Sequence, residues 1–416
     1  MNRIAIRLVI FVGFLLAGCG GSGTSTVGEP PTVVESATVS GVAAAGAPVS
    51  GTVTLVDKNG VQRVAAIDGS GGFVIDASGL ALPFVLKAEG QAGGSPQKLY
   101  AVTNHAGTVH VNPYTTLIFF VALGDDPAQF FASAVSRDGS KLSDALLSQA
   151  QQSVRAFLQP LLALYGITDF NPRTGAYAAQ PGNRLDAMLD VVGIAIDSSG
   201  TLVLSNKLNG AVLSTGSVAN LAGLNLDTGK TPDAACLDDL VALTERLAQL
   251  TTLLNSGTDM TRPAVEAFFI ADPDYGTSSN QTRTQNVDSI FTVWGVGGLN
   301  TDGKLKSIRN LRLVQDLTAD YGGRGVSRAY LLTYDFIFES GKIVHGNNVT
   351  FAKEQGSGAW KFIGDPLNSN LGDNFGCVSI MAIDIVYTSN YGDVIYQATI
   401  PASTQDGPPA TEAIQQ

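Results

Sequence analysis

An apolar run that stops too soon sets the first limit on this chain. Residues 8–16 (LVIFVGFLL) are uninterrupted apolar sequence behind Arg3 and Arg7, and they fall far short of the roughly 20 residues that a membrane-crossing helix needs. A basic start, a short apolar core and small residues at Ala17 and Gly18 have the layout of a secretory signal. Residues 1–18 are therefore expected to leave the chain, so that folding concerns the residues from Cys19 onward.

The tetrapeptide Leu16-Ala17-Gly18-Cys19 resembles the lipobox of bacterial lipoproteins in all four positions. That resemblance implies that the Cys19 thiol takes a diacylglyceryl group, that cleavage precedes it, and that the new amine is acylated. Several acyl chains together hold a protein at a bilayer, because burial contributes about 0.8 kcal/mol per methylene. The lipid bilayer is then a partner through Cys19, which becomes an anchor and not a catalyst. The plainer reading is an ordinary cleaved signal with a cysteine nearby. In the lipoprotein family an aspartate after the cysteine marks inner-membrane retention; Gly20 stands there, so the resemblance implies the outer membrane of a Gram-negative cell envelope.

Residues 19–36 hold Gly, Ser, Thr and Pro with almost no large apolar side chains, and read as a flexible tether. The remainder of the 416 residues is long enough for several domains. Its 44% hydrophobic and 15% charged content fits folded cores. A formal charge of -11, more negative still without Arg3 and Arg7, excludes nucleic acid as a partner. Besides Cys19 the chain has Cys236 and Cys377. In an oxidising compartment they form a candidate disulfide; the alternative is two buried thiols acting as small apolar residues.

From residue 37 to 112 short alternating runs are broken by turn residues, with strands expected over 38–42, 52–56, 61–66, 73–75, 84–89, 99–103 and 108–111. This spacing argues for a small β-sandwich. The stretch with Gly41, Gly46 and Ala47-Pro48-Val49, followed by D-x-x-G-x-F at Asp68, Gly71 and Phe73, resembles the carboxypeptidase regulatory-like, transthyretin-like domain of exported bacterial proteins. That module is non-catalytic, serving as spacer or docking surface. None of His105, His110 and His345 begins an H-x-x-E zinc pair.

Residues 113–230 read as mainly helical, with a small hairpin. Asn112-Pro113, Asp126-Pro127 and Ser143 are helix starts. In the third helix Leu146, Ala150, Val154, Phe157 and Leu161 form the expected inner face, with Pro160 kinking it or splitting off a last turn. A short helix RLDAMLD precedes paired strands over 191–196 and 202–204. The order N-P-x-T-T-L-I, helices, R-L-D-x-M-L-D resembles a region found beside the preceding module in Gram-negative lipoproteins, with no chemistry implied.

Residues 231–366 read as an α+β domain. Thr231 caps a long helix with Leu237, Leu240, Leu243, Leu247, Leu250 and Leu254 inward, and a short helix follows Arg262-Pro263. Strands are expected over 290–296, 305–317, 328–338, 342–353 and 359–363. The phrases YLLTYDFIFESGK and GSGAWKFIGDP resemble the last strands of nuclear transport factor 2-like domains, implying a cone around a pocket. Tyr330, Tyr334, Phe336 and Trp360 either line that pocket or are core aromatics. Residues 367–400 read as a terminal β-hairpin extension, and 401–416 as a disordered tail.

No catalytic set emerges. Ser70 has Asp68 where a nucleophile elbow needs glycine. His105 and His110 lie five apart in strand-like sequence and so face opposite ways. The run Asp272-Pro273-Asp274-Tyr275-Gly276 has Thr277 and Arg283 where a calcium loop needs Gly and Glu, so it reads as a polar turn. Asp125-Asp126 and Asp238-Asp239 sit at helix starts, favouring the dipole. No metal ligand and no cofactor is expected. The expected function is a membrane-anchored envelope lipoprotein with a non-catalytic binding or scaffolding role toward an envelope protein or glycan. The competing reading is a small-ligand receptor or enzyme using the C-terminal pocket, with Asp335 or a tyrosine as its polar group.

Overall fold

Alternating runs and tight turns give the N-terminal region its two sheets. The computed structural model describes residues 37–133, 142–270, 283–345, 349–363, 386–388 and 394–397. Strands β1 (Thr38–Val42), β2 (Ser50–Val56), β3 (Gln62–Ala66), β4 (Gly72–Asp76), β5 (Phe84–Ala92) and β6 (Ser95–Thr103) match the first six expected runs, whereas β7 (Gly107–Thr108) is shorter than the strand expected over 108–111 and overlaps it only at Thr108. They form sheets of order β4-β1-β7 and β3-β2-β5-β6. Val39, Val53, Leu55, Phe73, Ile75, Phe84 and Leu86 alternate inward to form one core between them.

Asn112 then starts helix α1 (Pro113–Leu123). Its side chain accepts from Thr115 N at 2.9 Å, and the Thr115 hydroxyl accepts from Asn112 N at 2.9 Å, closing a capping box. Asp126 caps α2 (Pro127–Ala132), and Ser143 caps α3 (Asp144–Leu164). The inner face of α3 differs from expectation at one end: Leu147 is buried while Leu146 is exposed. Pro160 lies inside one continuous helix and splits nothing off. It sits on the exposed side, while Phe157, Leu158, Leu161 and Leu162 bury the opposite face and hold the turn in place.

Helix α4 (Arg184–Val191) runs directly into β8 (Val192–Ile196), which pairs with β9 (Thr201–Asn206). A further strand, β10 (Val212–Ser217), extends the expected hairpin to three strands in the order β10-β9-β8. Helix α5 (Ala235–Leu254) starts later than Thr231: Asp233 Oδ1 accepts from Ala235 N at 2.8 Å, and the Thr231 hydroxyl instead donates to Thr228 O at 2.8 Å. All six expected leucines of α5 are buried.

Helix α6 (Arg262–Glu266) is followed by α7 (Arg283–Trp294), which corrects the strand expected over 290–296. Val287, Ile290, Val293 and Trp294 are buried at intervals of three and four or adjacent, a helical stripe. The last large sheet comprises β11 (Leu305–Asp316), β12 (Val326–Phe338), β14 (Val349–Glu354) and β15 (Trp360–Phe362), with β13 (Ile343–His345) pairing to β12. All its pairings are antiparallel. β16 (Val386–Thr388) and β17 (Val394–Gln397) pair antiparallel within the region expected as a hairpin.

The chain is thus multidomain, an all-β N-terminal region followed by helices and further antiparallel sheets. One hydrophobic core nonetheless runs from Tyr114 of α1 through α3, α4 and α5 to Phe362 of β15. The described residues of 113–230 and 231–363 are packed as one body around it. Among the described residues no helix is long and apolar enough to cross a membrane.

Candidate functional site

The most perturbed chemistry lies on α4. Asn183 caps this helix by accepting from Asp186 N at 3.1 Å, and every residue from Leu185 to Val191 is buried. Spacing of four puts Asp186 and Asp190 on one face, at relative exposures of 0% and 7%. Tyr177 Oη donates to Asp186 Oδ1 at 2.7 Å, and the backbone amides of Gly46 and Gln180 also bond to Asp186. Among the described residues Oδ2 of Asp186 and Oδ2 of Asp190 have no hydrogen-bond partner.

Three other elements bring charge or a polar group to this pair. Lys207, in the turn after β9, donates its Nζ to Leu189 O at 2.5 Å, and its charge acts on both carboxylates. Arg312 of β11 acts on Asp190 and on Asp335. Tyr114 of α1 donates to Leu185 O at 2.8 Å beneath the pair. Burial outweighs these favourable interactions. It raises the Asp186 carboxyl to about 7, and burial with the neighbouring Asp186 charge pushes Asp190 well above the ordinary carboxylate range. Burial likewise lowers Lys207 and Arg312.

The N-terminal sheets close over this cluster. Gly46 has φ +86°, and a Cβ there would stand 2.7 Å from Asp190 Oδ1 and 2.9 Å from Asp190 N. At Gly93, in the turn between β5 and β6, a Cβ would stand 2.7 Å from Arg312 Cδ. Both positions require glycine for close approach. Arg312 follows a register irregularity of β11, where Asn310 adopts φ 55° and donates Nδ2 to Asp335 Oδ2 at 2.6 Å. Asp335, the polar group of the competing receptor reading, is therefore bonded within this cluster. A raised carboxyl is suited to proton transfer, and both carboxyls of the pair are buried.

A second buried network ties α5 to the last sheet. Asp239 Oδ2 accepts from Tyr330 Oη at 3.1 Å and lies 3.3 Å from Arg328 Nε, while Lys353 Nζ is 3.2 Å from Asp239 Oδ1. Arg328 also donates to Tyr330 Oη and Asp233 Oδ2, both at 2.8 Å. Among the described residues Cys236 is a free buried thiol, 3.4 Å from Tyr330 Oη, and burial pushes the thiol up. Asp239 thus does more than favour a helix dipole, whereas its neighbour Asp238 is exposed and pairs with Arg184. Cys377, the candidate disulfide partner, lies outside the described residues, as do Cys19 and the Asp272–Gly276 turn.

The four aromatics singled out in the last sheet are buried in the shared core. Tyr330 stacks on Trp360 with centroids 5.5 Å apart; Phe336 contacts Trp294 at 6.2 Å and Tyr334 at 5.3 Å. Ring contacts with other core aromatics engage them.

His105 and His110 serve structure. His105 is exposed and pairs with Asp144 at 2.7 Å. His110 is buried, its Nδ1 accepting from Val42 N at 3.1 Å and its Nε2 bonding Gly175 O at 2.8 Å. This fixes the neutral tautomer with hydrogen on Nε2. The His345 side chain lies outside the described residues. A small pocket beside His110 is lined by Arg173, Thr115, Ile118 and Phe119, with room for about one water. Among the described residues no group of three His, Cys, Asp or Glu gathers as a metal site.

Sequence reasoning missed Asp186, Asp190, Lys207 and Arg312 as a set. The visible signal was the pair of aspartates four apart in RLDAMLD; their cationic partners come from distant parts of the chain. No protein-family model, curated protein or solved structure matches this chain.

Proposed function

We propose that this chain is a lipid-anchored protein of the Gram-negative cell envelope, held at the outer membrane through acylated Cys19, with a non-catalytic binding or scaffolding role. The observation that carries the anchor is Leu16-Ala17-Gly18-Cys19 behind a short apolar run. What supports the non-catalytic part is the use of the buried polar groups. Asp186, Asp239, Asp335, Tyr330 and His110 each bond to a neighbour inside the body. A partner is an envelope protein or glycan meeting the outside of that body. Two N-terminal sheets around one core support a transthyretin-like reading, and α5 packed against an antiparallel sheet supports a nuclear transport factor 2-like one.

The test is to fractionate cells producing the native chain or Cys19→Ala and to weigh the mature N-terminus. An acylated Cys19 terminus in the outer-membrane fraction, lost in Cys19→Ala, is expected. An unmodified terminus on a periplasmic product overturns the proposal.

A further inference from the structure

We infer that Asp186 and Asp190 form a proton-operated latch between the N-terminal sheets and the rest of the body. With one proton held by the pair, the Gly46 loop and the Gly93-Gly94 turn sit closed on α4 and Arg312. When that proton leaves to water, the second buried negative charge loosens them.

The two carboxyls are one helical turn apart, both buried, and each keeps an oxygen without a partner among the described residues. A proton on one would supply the donor the other lacks. Without it, two like charges share a dry site, where their repulsion is far stronger than in water. Neutralisation by cations acts only at longer range: among the described residues neither Lys207 nor Arg312 forms an ion pair with either carboxylate, although the charge of each favours ionised Asp190, and Lys207 Nζ gives one of its hydrogens to Leu189 O.

The groups around the pair come from every packed element. Tyr114 belongs to α1, and Tyr177 approaches from the loop before α4 with His110 against its ring at 5.4 Å. Lys207 follows β9, and Arg312 of β11 is backed by Asp335 of β12. On the α5 side Arg184 and Asp238 pair at the start of α4. Of these, His110 is held neutral by its two bonds and titrates on the acid side, away from the change invoked here.

The parts that move are loop tips of the N-terminal sheets, not their strands. Gly46 donates its amide to Asp186 and lies against Asp190, and Gly93 lies against the Arg312 stem. In this latch, water returns to the ionised pair past the Gly46 loop. The acid form is the closed form.

The experiment is hydrogen exchange by mass spectrometry on the full mature chain, between about pH 6 and about pH 9, with rates normalised to those of an unstructured peptide at each pH. Normalised protection over residues 43–49 and 93–94 should fall by about ten-fold or more as pH rises, with β2 and β5 unchanged. In Asp190→Asn, which keeps size and removes the titrating charge, the profile should be flat. Unchanged protection in the native chain, or an unchanged pH profile in Asp190→Asn, overturns the latch. Should that variant fail to fold, infrared spectroscopy of the native chain decides. A protonated carboxylic acid band at about pH 6 that vanishes by about pH 9 is expected, and its absence at the lower pH overturns the inference.

Discussion

Gly46 lies against Asp190 so closely that a single added methyl would stand 2.7 Å from the carboxylate oxygen. The glycine also holds φ +86°, a conformation other residues adopt only with strain. Gly46→Ala therefore meets both a clash and an unfavourable backbone. It should lower stability by about 2 kcal/mol or more, read as a shift in the urea midpoint. Gly79→Ala, at φ +76° with nothing near its Cβ, should show the backbone cost alone.

Asp239 carries the ties between α5 and the last sheet. Removing it leaves the Tyr330 hydroxyl and two cations without their shared acceptor. Asp239→Ala should cost about 3 kcal/mol, discounted from the full buried-pair value because Lys353 and Arg328 remain partly exposed. Asp239→Asn keeps an acceptor for Tyr330 and should cost less. Equilibrium denaturation with an unchanged urea dependence checks both.

Asn112 ties the start of α1 to the loop after α3 by two bonds of opposite kind. Its side-chain oxygen caps α1, and its Nδ2 donates to Pro172 O at 3.0 Å. Asn112→Ala loses both and should destabilise by about 2 kcal/mol. Asn112→Asp keeps the cap but not the donor, and its melting temperature should fall between those of the native chain and Asn112→Ala.

His110 contributes to stability only while neutral. Burial lowers it from the ordinary 6.5, and protonation would destroy the acceptor that Val42 N needs. The unfolded chain therefore binds this proton first as pH falls. The contribution is complete above about 6.5 and is lost as pH falls through the lower folded value. The stability gap between the native chain and His110→Gln, measured by urea unfolding, should shrink from about pH 8 to about pH 5. A constant gap would count against the neutral tautomer.

Legibility in the sequence tracked how local the cause was. The first six N-terminal strands were readable because Val53 and Leu55 alternate and because Asp57-Lys58-Asn59-Gly60 and Asp68-Gly69-Ser70-Gly71 close tight turns. Asn112 and Asp126 were readable as caps for the same reason. Residues 290–296 misled because a short apolar run has no period of its own. Only with Val287 does the helical stripe of α7 appear. The Asp186 cluster was beyond a linear reading: burial made its aspartates unusual, and that burial is supplied by Gly46 and Arg312, remote in sequence from α4 and from each other.

The core shared by α1, α3, α4, α5 and the last sheet has a consequence for the order of assembly. A ribosome releases α4 and its two aspartates before β11 exists, so the nascent chain holds Asp190 without Arg312. The leucines of α5 wait likewise for Tyr330, Phe351 and Phe362. Contacts of such large sequence separation form slowly, so the N-terminal two-thirds of this protein must remain soluble while unfinished. The charged residues of α3, α4 and α5 then serve the chain before it is folded as much as after.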